Sequence, residues 1–141
     1  MSWVEDRLEI LQLIATYSHT ADADDSARFA DCFTDDGEFH VRVGLPDESR
    51  FNGREEIEQF HARAVANRGG AQTRHLQNNT LFLEQSDRSA KARTYLLVTR
   101  MQGESPPENM HTSVYEDTIV KTSQGWKFKL RRTLSDRKPQ A

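Results

Sequence analysis

Hydrophobic residues recur with a helical period near the start of the chain and alternate with polar residues toward its end. Ser2 followed by Glu5 is typical of a capping box, so a helix is predicted from there to about Ala21. Its apolar stripe consists of Leu8, Leu11, Ile14, Ala15 and Ser18. At about 100° per residue, Asp22 falls within this stripe at its C-terminal end. A carboxylate on an apolar helix face is costly without hydrogen-bond partners, which makes Asp22 the first candidate for chemistry.

Shorter elements are predicted up to residue 70. In chain order they are a helix over Ser26–Phe33, a turn at Asp35-Asp36-Gly37, a strand over Glu38–Val43, a loop over Gly44–Arg50 and a helix over Arg54–Asn67. Asp24 or Asp25 is predicted to cap the first of these helices, and Asn52 the second.

Four long strands follow. They are predicted over Thr73–Glu84, Lys91–Gln102, Met110–Thr122 and Trp126–Leu134, with hairpin turns at Gln85–Ser89 and Thr122–Gly125 and a longer loop over Gly103–Asn109. Helices followed by an antiparallel meander predict a single α+β domain, with the helices packed on one face of the sheet. If the sheet is strongly curved and the helices lie on its concave side, the domain is a cone whose mouth can hold a pocket. We expect this domain to span residues 1–135, followed by a polar tail over 136–141.

Charge and hydrophobicity argue against a nucleic-acid-binding or membrane protein. The 141 residues carry a formal net charge of −3. The basic run ending in Arg131 and Arg132 alternates with Trp126, Phe128 and Leu130, which is typical of a half-buried strand rather than a nucleic-acid interface. No apolar run approaches the ~18 residues of a membrane span, and no signal-peptide pattern is present. We therefore expect a cytoplasmic protein that binds neither nucleic acid nor a membrane.

Metal and cofactor signatures are also missing from the sequence. The single cysteine, Cys32, excludes an internal disulfide and a multi-cysteine zinc site, and we expect it to be buried. Gly69-Gly70 follows a helix rather than a strand, so it does not match a phosphate-binding or dinucleotide-binding loop. No metal and no cofactor is predicted.

Five motifs together resemble a known family. They are Tyr17-x4-Asp22, Phe33-Thr34-Asp35-Asp36-Gly37, Thr73-Arg74-His75, Tyr115-Glu116-Asp117 and Gly125-Trp126-Lys127-Phe128. In this order they resemble the SnoaL-like group of the nuclear transport factor 2-like superfamily, over nearly the whole chain. That group includes scytalone dehydratase, bile-acid 7α-dehydratase, hexachlorocyclohexane dehydrochlorinase and polyketide cyclases. The resemblance implies the cone-shaped α+β roll, but this scaffold hosts many reactions and some proteins that only bind.

The resemblance also implies site residues. An aspartate late in the first helix pairs with a histidine on the first long strand in the dehydratase-like members, and Asp22 and His75 match these positions. Tyr17 matches a tyrosine of the bile-acid enzyme. Arg131 matches a substrate-binding arginine of the last strand, whereas strict alternation from the strand tryptophan points Arg132 inward instead.

Other polar residues are assigned from the strand and helix patterns. Asn79 shares the face of His75 by period-2 counting and is predicted to line the same pocket. The remaining histidines, His19, His40, His61 and His111, are predicted to be exposed or at element edges.

These residue types suit elimination chemistry. A neutral imidazole can take a proton from carbon, a carboxylate can fix its tautomer, and a phenol can donate to a developing enolate. The first hypothesis is a cofactor-independent lyase or isomerase acting on a hydrophobic cyclic molecule such as a polyketide, steroid or terpenoid. The alternatives are a non-catalytic binding protein or an accessory β-subunit-like protein of the same fold. We expect the deepest pocket to touch Tyr17, Asp22 and His75 together.

The outer face of the predicted sheet should carry apolar residues. The candidates are Tyr95, Leu97, Val114 and Val120, depending on register. Such a patch is normally covered by another subunit, so a homo-oligomer is predicted. The resemblance implies a trimer in preference to a dimer, because the dehydratase-like members of that family form trimers.

Overall fold

The computed structural model describes residues 2–136 and contains three helices and six strands within that range. The helices are α1 (Trp3–Asp22), α2 (Ser26–Asp31) and α3 (Arg54–Asn67). The strands are β1 (Phe33–Val41), β2 (Ser49–Asn52), β3 (Gln72–Gln85), β4 (Ser89–Met101), β5 (Glu108–Thr122) and β6 (Gly125–Ser135).

The six strands form one sheet in the order β2-β1-β6-β5-β4-β3. The last four strands form the predicted antiparallel meander, and β1 pairs in parallel with β6. The helices pack against one face, where α1 contacts both β3 and β6. The predicted α+β class is confirmed, and β3 is left as an edge strand beside α1.

Helix α1 begins as predicted, with a complete capping box between Ser2 and Glu5. Its buried face differs from the predicted stripe and consists of Asp6, Ile10, Leu13, Ile14, Tyr17, Thr20 and Ala21. Leu8 is 61% exposed, and Leu11 also lies at the surface. Of the predicted stripe only Ile14 belongs to the core, and the other members lie on the exposed or half-buried sides of the helix.

The region between α1 and α3 departs from the prediction in its boundaries. Helix α2 ends at Asp31 because Phe33 already pairs with β6. The expected turn at Asp35-Asp36-Gly37 lies within β1, where the register with β6 shifts. Gly53, not Asn52, is the N-cap of α3, and it has a positive φ of 84°.

Buried charged contacts hold the concave side together. Asp6 accepts hydrogen bonds from Lys121 Nζ at 2.9 Å and from Trp126 Nε1 at 3.0 Å, which ties the first turn of α1 to the β5–β6 hairpin. These two hydrogen bonds lower the pKa of Asp6. Cys32 is buried, as expected.

The outer face of the sheet is partly apolar. Tyr95 is exposed there, and Leu97, Val114 and Val120 are half-buried. The homo-oligomer stays a prediction, which light scattering would test. Of the predicted tail, Asp136 donates its backbone N–H to Thr112 O, and residues 137–141 lie outside the described part of the chain. No helix within residues 2–136 has the length and apolarity needed to cross a membrane.

Candidate active site

Asp22 and His75 are in direct contact where α1 ends beside β3. His75 Nδ1 lies 2.5 Å from Asp22 Oδ1, and the His75 backbone N–H donates to Oδ2 at 2.9 Å. Thr73 Oγ1 donates to Oδ1 at 3.0 Å. The carboxylate therefore accepts three hydrogen bonds from a single stretch of β3, which fixes the orientation of the imidazole ring.

The backbone that carries Asp22 is held from α3 and β3. The carbonyls of a helix C-terminus lack intrahelical partners. Here Arg68 donates to the carbonyls of Ala21 and Asp22, at 2.7 and 3.0 Å, and His61 Nε2 lies 3.1 Å from the same Ala21 oxygen. Gln72 Nε2 adds a longer contact to the Asp22 carbonyl, at 3.3 Å. The end of α1 is therefore firmly positioned.

The hydrogen bonds favour the ionised form of Asp22 and fix the tautomer that a neutral His75 ring adopts. Burial by itself would raise the pKa of Asp22, but the hydrogen bonds from the ring and backbone of His75 outweigh it, so the pKa is lowered. When the His75 ring is neutral, an ionised Asp22 accepts the proton on Nδ1, and the lone pair then lies on Nε2. No residue within 2–136 is a hydrogen-bond partner of that nitrogen.

A cleft between α1 and β3 gives access to the pair. One pocket of about 510 Å³ contacts both Asp22 and His75. A second, of about 310 Å³, shares Ser18, His19, His75 and Leu76 with it and extends along α1 past Leu11 and Ala15. The side chains of Asp22 and His75 are 9% and 21% exposed. The predicted apolar stripe of α1 thus forms one wall of this cleft.

A larger pocket lies on the opposite flank of α1. It measures about 920 Å³ and is lined by residues of α1, α2 and the β5–β6 hairpin, among them Arg28 and Trp126. Neither Asp22 nor His75 contacts it. We assign the candidate site to the smaller cleft because that cleft contains the oriented imidazole.

The expectation that Tyr17 shares this cleft is wrong. Tyr17 is only 2% exposed, its hydroxyl accepts a hydrogen bond from Tyr115 at 3.2 Å, and it contacts neither pocket at the Asp22–His75 pair. Burial raises the pKa of Tyr17 well above its usual value. A spacing of five residues turns a helix by about 500°, which puts Tyr17 about 140° away from Asp22 around α1.

The placement of Asn79 by strand counting is also wrong. The β3–β4 register shifts between Asn78 and Leu81, and Asn79 has a positive φ of 59° within this bulge. The extra residue exposes Asn79 and gives the concave position to Thr80, whose hydroxyl lies 3.0 Å from that of Thr94.

A second bulge decides between the two arginines. Leu130 pairs with Thr118 but Phe128 pairs with Ile119, so one extra residue in β6 breaks the strict alternation. Arg131 consequently points inward, and Arg132 pairs with Glu116 on the outer face.

Arg131 does not reach the cleft. Its guanidinium is fully buried and donates to both oxygens of Asp117, at 2.8 and 2.9 Å. It lies 3.7 Å from the ring centre of Tyr115 and 4.2 Å from that of Tyr17. In the structure Arg131 forms an ion pair in the core, and its contact with a substrate stays a prediction.

Two of the histidines predicted to be exposed or at element edges are buried. His61 stacks on Phe29 with 4.5 Å between ring centres, and its Nδ1 lies 2.7 Å from Ser26 Oγ. His40 is buried beside Glu38. The sequence carried a signal for His61, since it lies four residues after the buried Ile57 on α3. No group of three His, Cys, Asp or Glu side chains able to hold a metal ion occurs within residues 2–136.

Comparisons with known proteins agree with this architecture. Aln2 from a Streptomyces species has a TM-score of 0.85 at 26% identity, covering 96% of this chain and 94% of that chain. ActVI-ORFA from Streptomyces coelicolor has a TM-score of 0.80 at 26% identity, covering 92% and 96%. A nuclear transport factor 2-like protein with a cystatin-like fold from Novosphingobium aromaticivorans has a TM-score of 0.79 at 26% identity, covering 94% and 83%. The predicted cone fold is confirmed.

Sequence comparison with curated proteins gives no match. The SnoaL-like domain matches residues 3–132, which include all three helices, strands β1 to β5 and most of β6. The chain therefore belongs to the SnoaL-like domain family.

Proposed function

We propose that this chain is a cofactor-independent lyase or isomerase that removes a proton from carbon beside a carbonyl group of a hydrophobic cyclic molecule. The hydrogen bond between Asp22 and His75 Nδ1, at a cleft open to solvent, carries the proposal. Membership of the SnoaL-like family supports it, because the dehydratases and cyclases that the sequence resembles begin with such a proton transfer.

His75 is the proposed base. Its Nε2 lone pair takes the proton, while the electron pair of the broken C–H bond forms the carbon–carbon double bond of an enolate. The imidazole becomes imidazolium, whose positive charge the adjacent Asp22 carboxylate stabilises. The imidazolium then returns the proton to another carbon in an isomerisation, or to a departing hydroxyl group in a dehydration.

The cleft favours a flat, mainly apolar substrate. Leu11, Ala15 and Leu76 supply apolar surface on its two sides, and the polar groups concentrate around His75. Pockets of a few hundred Å³ hold drug-sized ligands. A polyketide, steroid or terpenoid ring system fits this combination of apolar walls and one oriented base.

Proton exchange tests the proposal without the natural substrate. 2-Tetralone is a bicyclic ketone with exchangeable protons beside its carbonyl, and NMR in D₂O follows their replacement by deuterium. We expect the protein to accelerate this exchange and His75→Gln to remove about 10²–10⁴-fold of the acceleration, which is the usual contribution of a general base.

Asp24→Asn is a matched control for variants of the pair, because Asp24 lies just beyond α1 and has no contact with His75 among the described hydrogen bonds. Its exchange rate should equal that of the unmodified protein. Equal rates for His75→Gln and Asp24→Asn would overturn the proposed base. Binding of 2-tetralone without any catalysed exchange would favour the non-catalytic binding protein.

A further inference from the structure

A second histidine lies across the concave face from His75. In the register of the sheet, His75 on β3 pairs with Val98 on β4, and Val98 pairs with His111 on β5. Directly paired residues of antiparallel strands point to the same face. With strands about 4.8 Å apart, the two histidines are about 10 Å apart at their Cα atoms, a gap that one bicyclic molecule spans.

Hydrogen bonding orients the His111 ring. Ser113, two residues along β5, is buried on the concave face, and its Oγ lies 3.3 Å from His111 Nδ1. Since His111 itself is exposed, its Nε2 edge is accessible from solvent. Partial burial of the ring on its concave side, and then the nearby charges of His75 and Arg42, lower its pKa, so the neutral form is favoured.

A buried hydroxyl nearby lacks a partner. Thr133 on β6 is 7% exposed, and its Oγ1 makes no hydrogen bond to any residue within 2–136. Thr133 pairs with Tyr115 on β5, and Tyr115 lies two residues from Ser113 on the same face. Because a buried polar atom is costly without a hydrogen bond, Thr133 Oγ1 points to a polar group of a ligand.

From these contacts we propose that His111, with Ser113 and Thr133, forms a subsite that binds a carbonyl or enolate oxygen of the molecule whose proton faces His75. When Ser113 Oγ donates to Nδ1, the neutral ring presents Nε2–H as a hydrogen-bond donor. A preorganised donor stabilises the oxygen that gains negative charge as the C–H bond breaks. The enolate role rests on the proposed function, whereas the binding of a ketone oxygen does not.

The test separates the two proposals by measuring binding and exchange independently. Binding is followed by the NMR signal of the His111 ring, assigned by its loss in His111→Gln, during titration with 2-tetralone or with tetralin, which lacks the oxygen. We expect the ketone to shift the signal and tetralin to leave it unchanged, in the unmodified protein and in His75→Gln. His111→Gln should weaken 2-tetralone binding about tenfold and lower the exchange rate about 10²-fold.

Two further variants sharpen the result. Thr133→Val removes the unpartnered hydroxyl at constant shape and should weaken ketone binding roughly fivefold, within the range of one hydrogen bond. Thr112→Ala, on the outer face of β5 beside His111, is the matched control and should change neither measurement.

The outcomes are distinguishable. A shifted His111 signal without catalysed exchange would support the oxygen subsite and overturn the proposed function. Catalysed exchange that His75→Gln abolishes but His111→Gln leaves at the level of Thr112→Ala would support the base and overturn the subsite. An unshifted His111 signal at the solubility limit of 2-tetralone would also overturn the subsite.

Discussion

Two pairs of side chains on the concave side of the sheet differ in access to solvent: Asp117 with Arg131, the sealed pair, and Asp22 with His75, the open pair. Asp117 and Arg131 are fully buried, and three aromatic rings lie within about 4 Å of the guanidinium. Asp22 and His75 lie at the edge of the sheet, where His75 Nε2 has no hydrogen-bond partner within residues 2–136. The first pair is closed to solvent and joins β5 to β6, whereas the second faces a cleft from which it can exchange a proton with a bound molecule.

The largest expected effect is on the open pair. Asp22→Asn keeps the shape of the side chain but removes the charge that fixes the His75 tautomer, and the equivalent change in a serine-protease triad lowers kcat about 10⁴-fold. We expect a similar loss in the exchange of 2-tetralone with at most a modest decrease in the free energy of unfolding. Because the two residues act as a unit, Asp22→Asn combined with His75→Gln should be little slower than either single variant. Multiplicative losses would show that they act independently.

The sealed pair should respond in the opposite way. Arg131→Met leaves the Asp117 carboxyl buried without its partner, which typically costs about 3–5 kcal/mol of unfolding free energy. Asp117→Leu in the same chain should recover most of that loss. Urea unfolding measures both, and the folded Arg131→Met protein should keep an exchange rate within a few-fold of the original. If the exchange rate falls while the free energy of unfolding stays constant, Arg131 contacts the substrate.

Sequence reasoning could place the open pair but not the interior. Asp22 stood out because a carboxylate on an apolar helix stripe needs partners, and the resemblance supplied His75. Tyr17 and Asn79 were misplaced for geometric reasons. A five-residue spacing leaves the helix face, and the first bulge in β3 reverses the alternation of the side chains that directly follow it.

Bulges and long-range contacts leave little trace in sequence. The bulge in β6 that turns Arg131 inward depends on pairing with β5, and the burial of His61 depends on α3 packing beneath the end of α1. Element types follow from local periodicity and could be predicted, whereas the partner of each polar side chain depends on tertiary packing.

A smaller effect tests the bulge in β3. Asn79 has a left-handed backbone, which asparagine tolerates better than most residues and glycine adopts freely. Asn79→Ala should therefore lower the unfolding free energy by about 1 kcal/mol, and Asn79→Gly should leave it nearly unchanged. Neither should alter the exchange of 2-tetralone. A slower exchange in Asn79→Gly would show that the side chain contacts the substrate after all.

The smallest effect concerns pH and the histidine beneath the open pair. Burial lowers the pKa of His61 below the value of about 6.5 that an unfolded chain has. As the pH falls through 6.5, the unfolded chain takes up this proton first, so stability is lost from there down to the folded pKa. The lowered pKa of Asp22 acts in a separate window, since its stabilisation is lost only below about pH 4.

His61→Gln should therefore reduce the slope of Tm against pH between pH 7 and 5, even if the variant is less stable throughout. His111→Gln is the necessary comparison, because burial also lowers the pKa of His111 and its titration has the same sign. Protonation of the two histidines affects different contacts in the molecule. His61 contacts the carbonyl that precedes Asp22, so its protonation acts on the end of α1, while that of His111 leaves this contact intact. An unchanged slope in His61→Gln, with a reduced one in His111→Gln, would assign the acid sensitivity to the concave face instead.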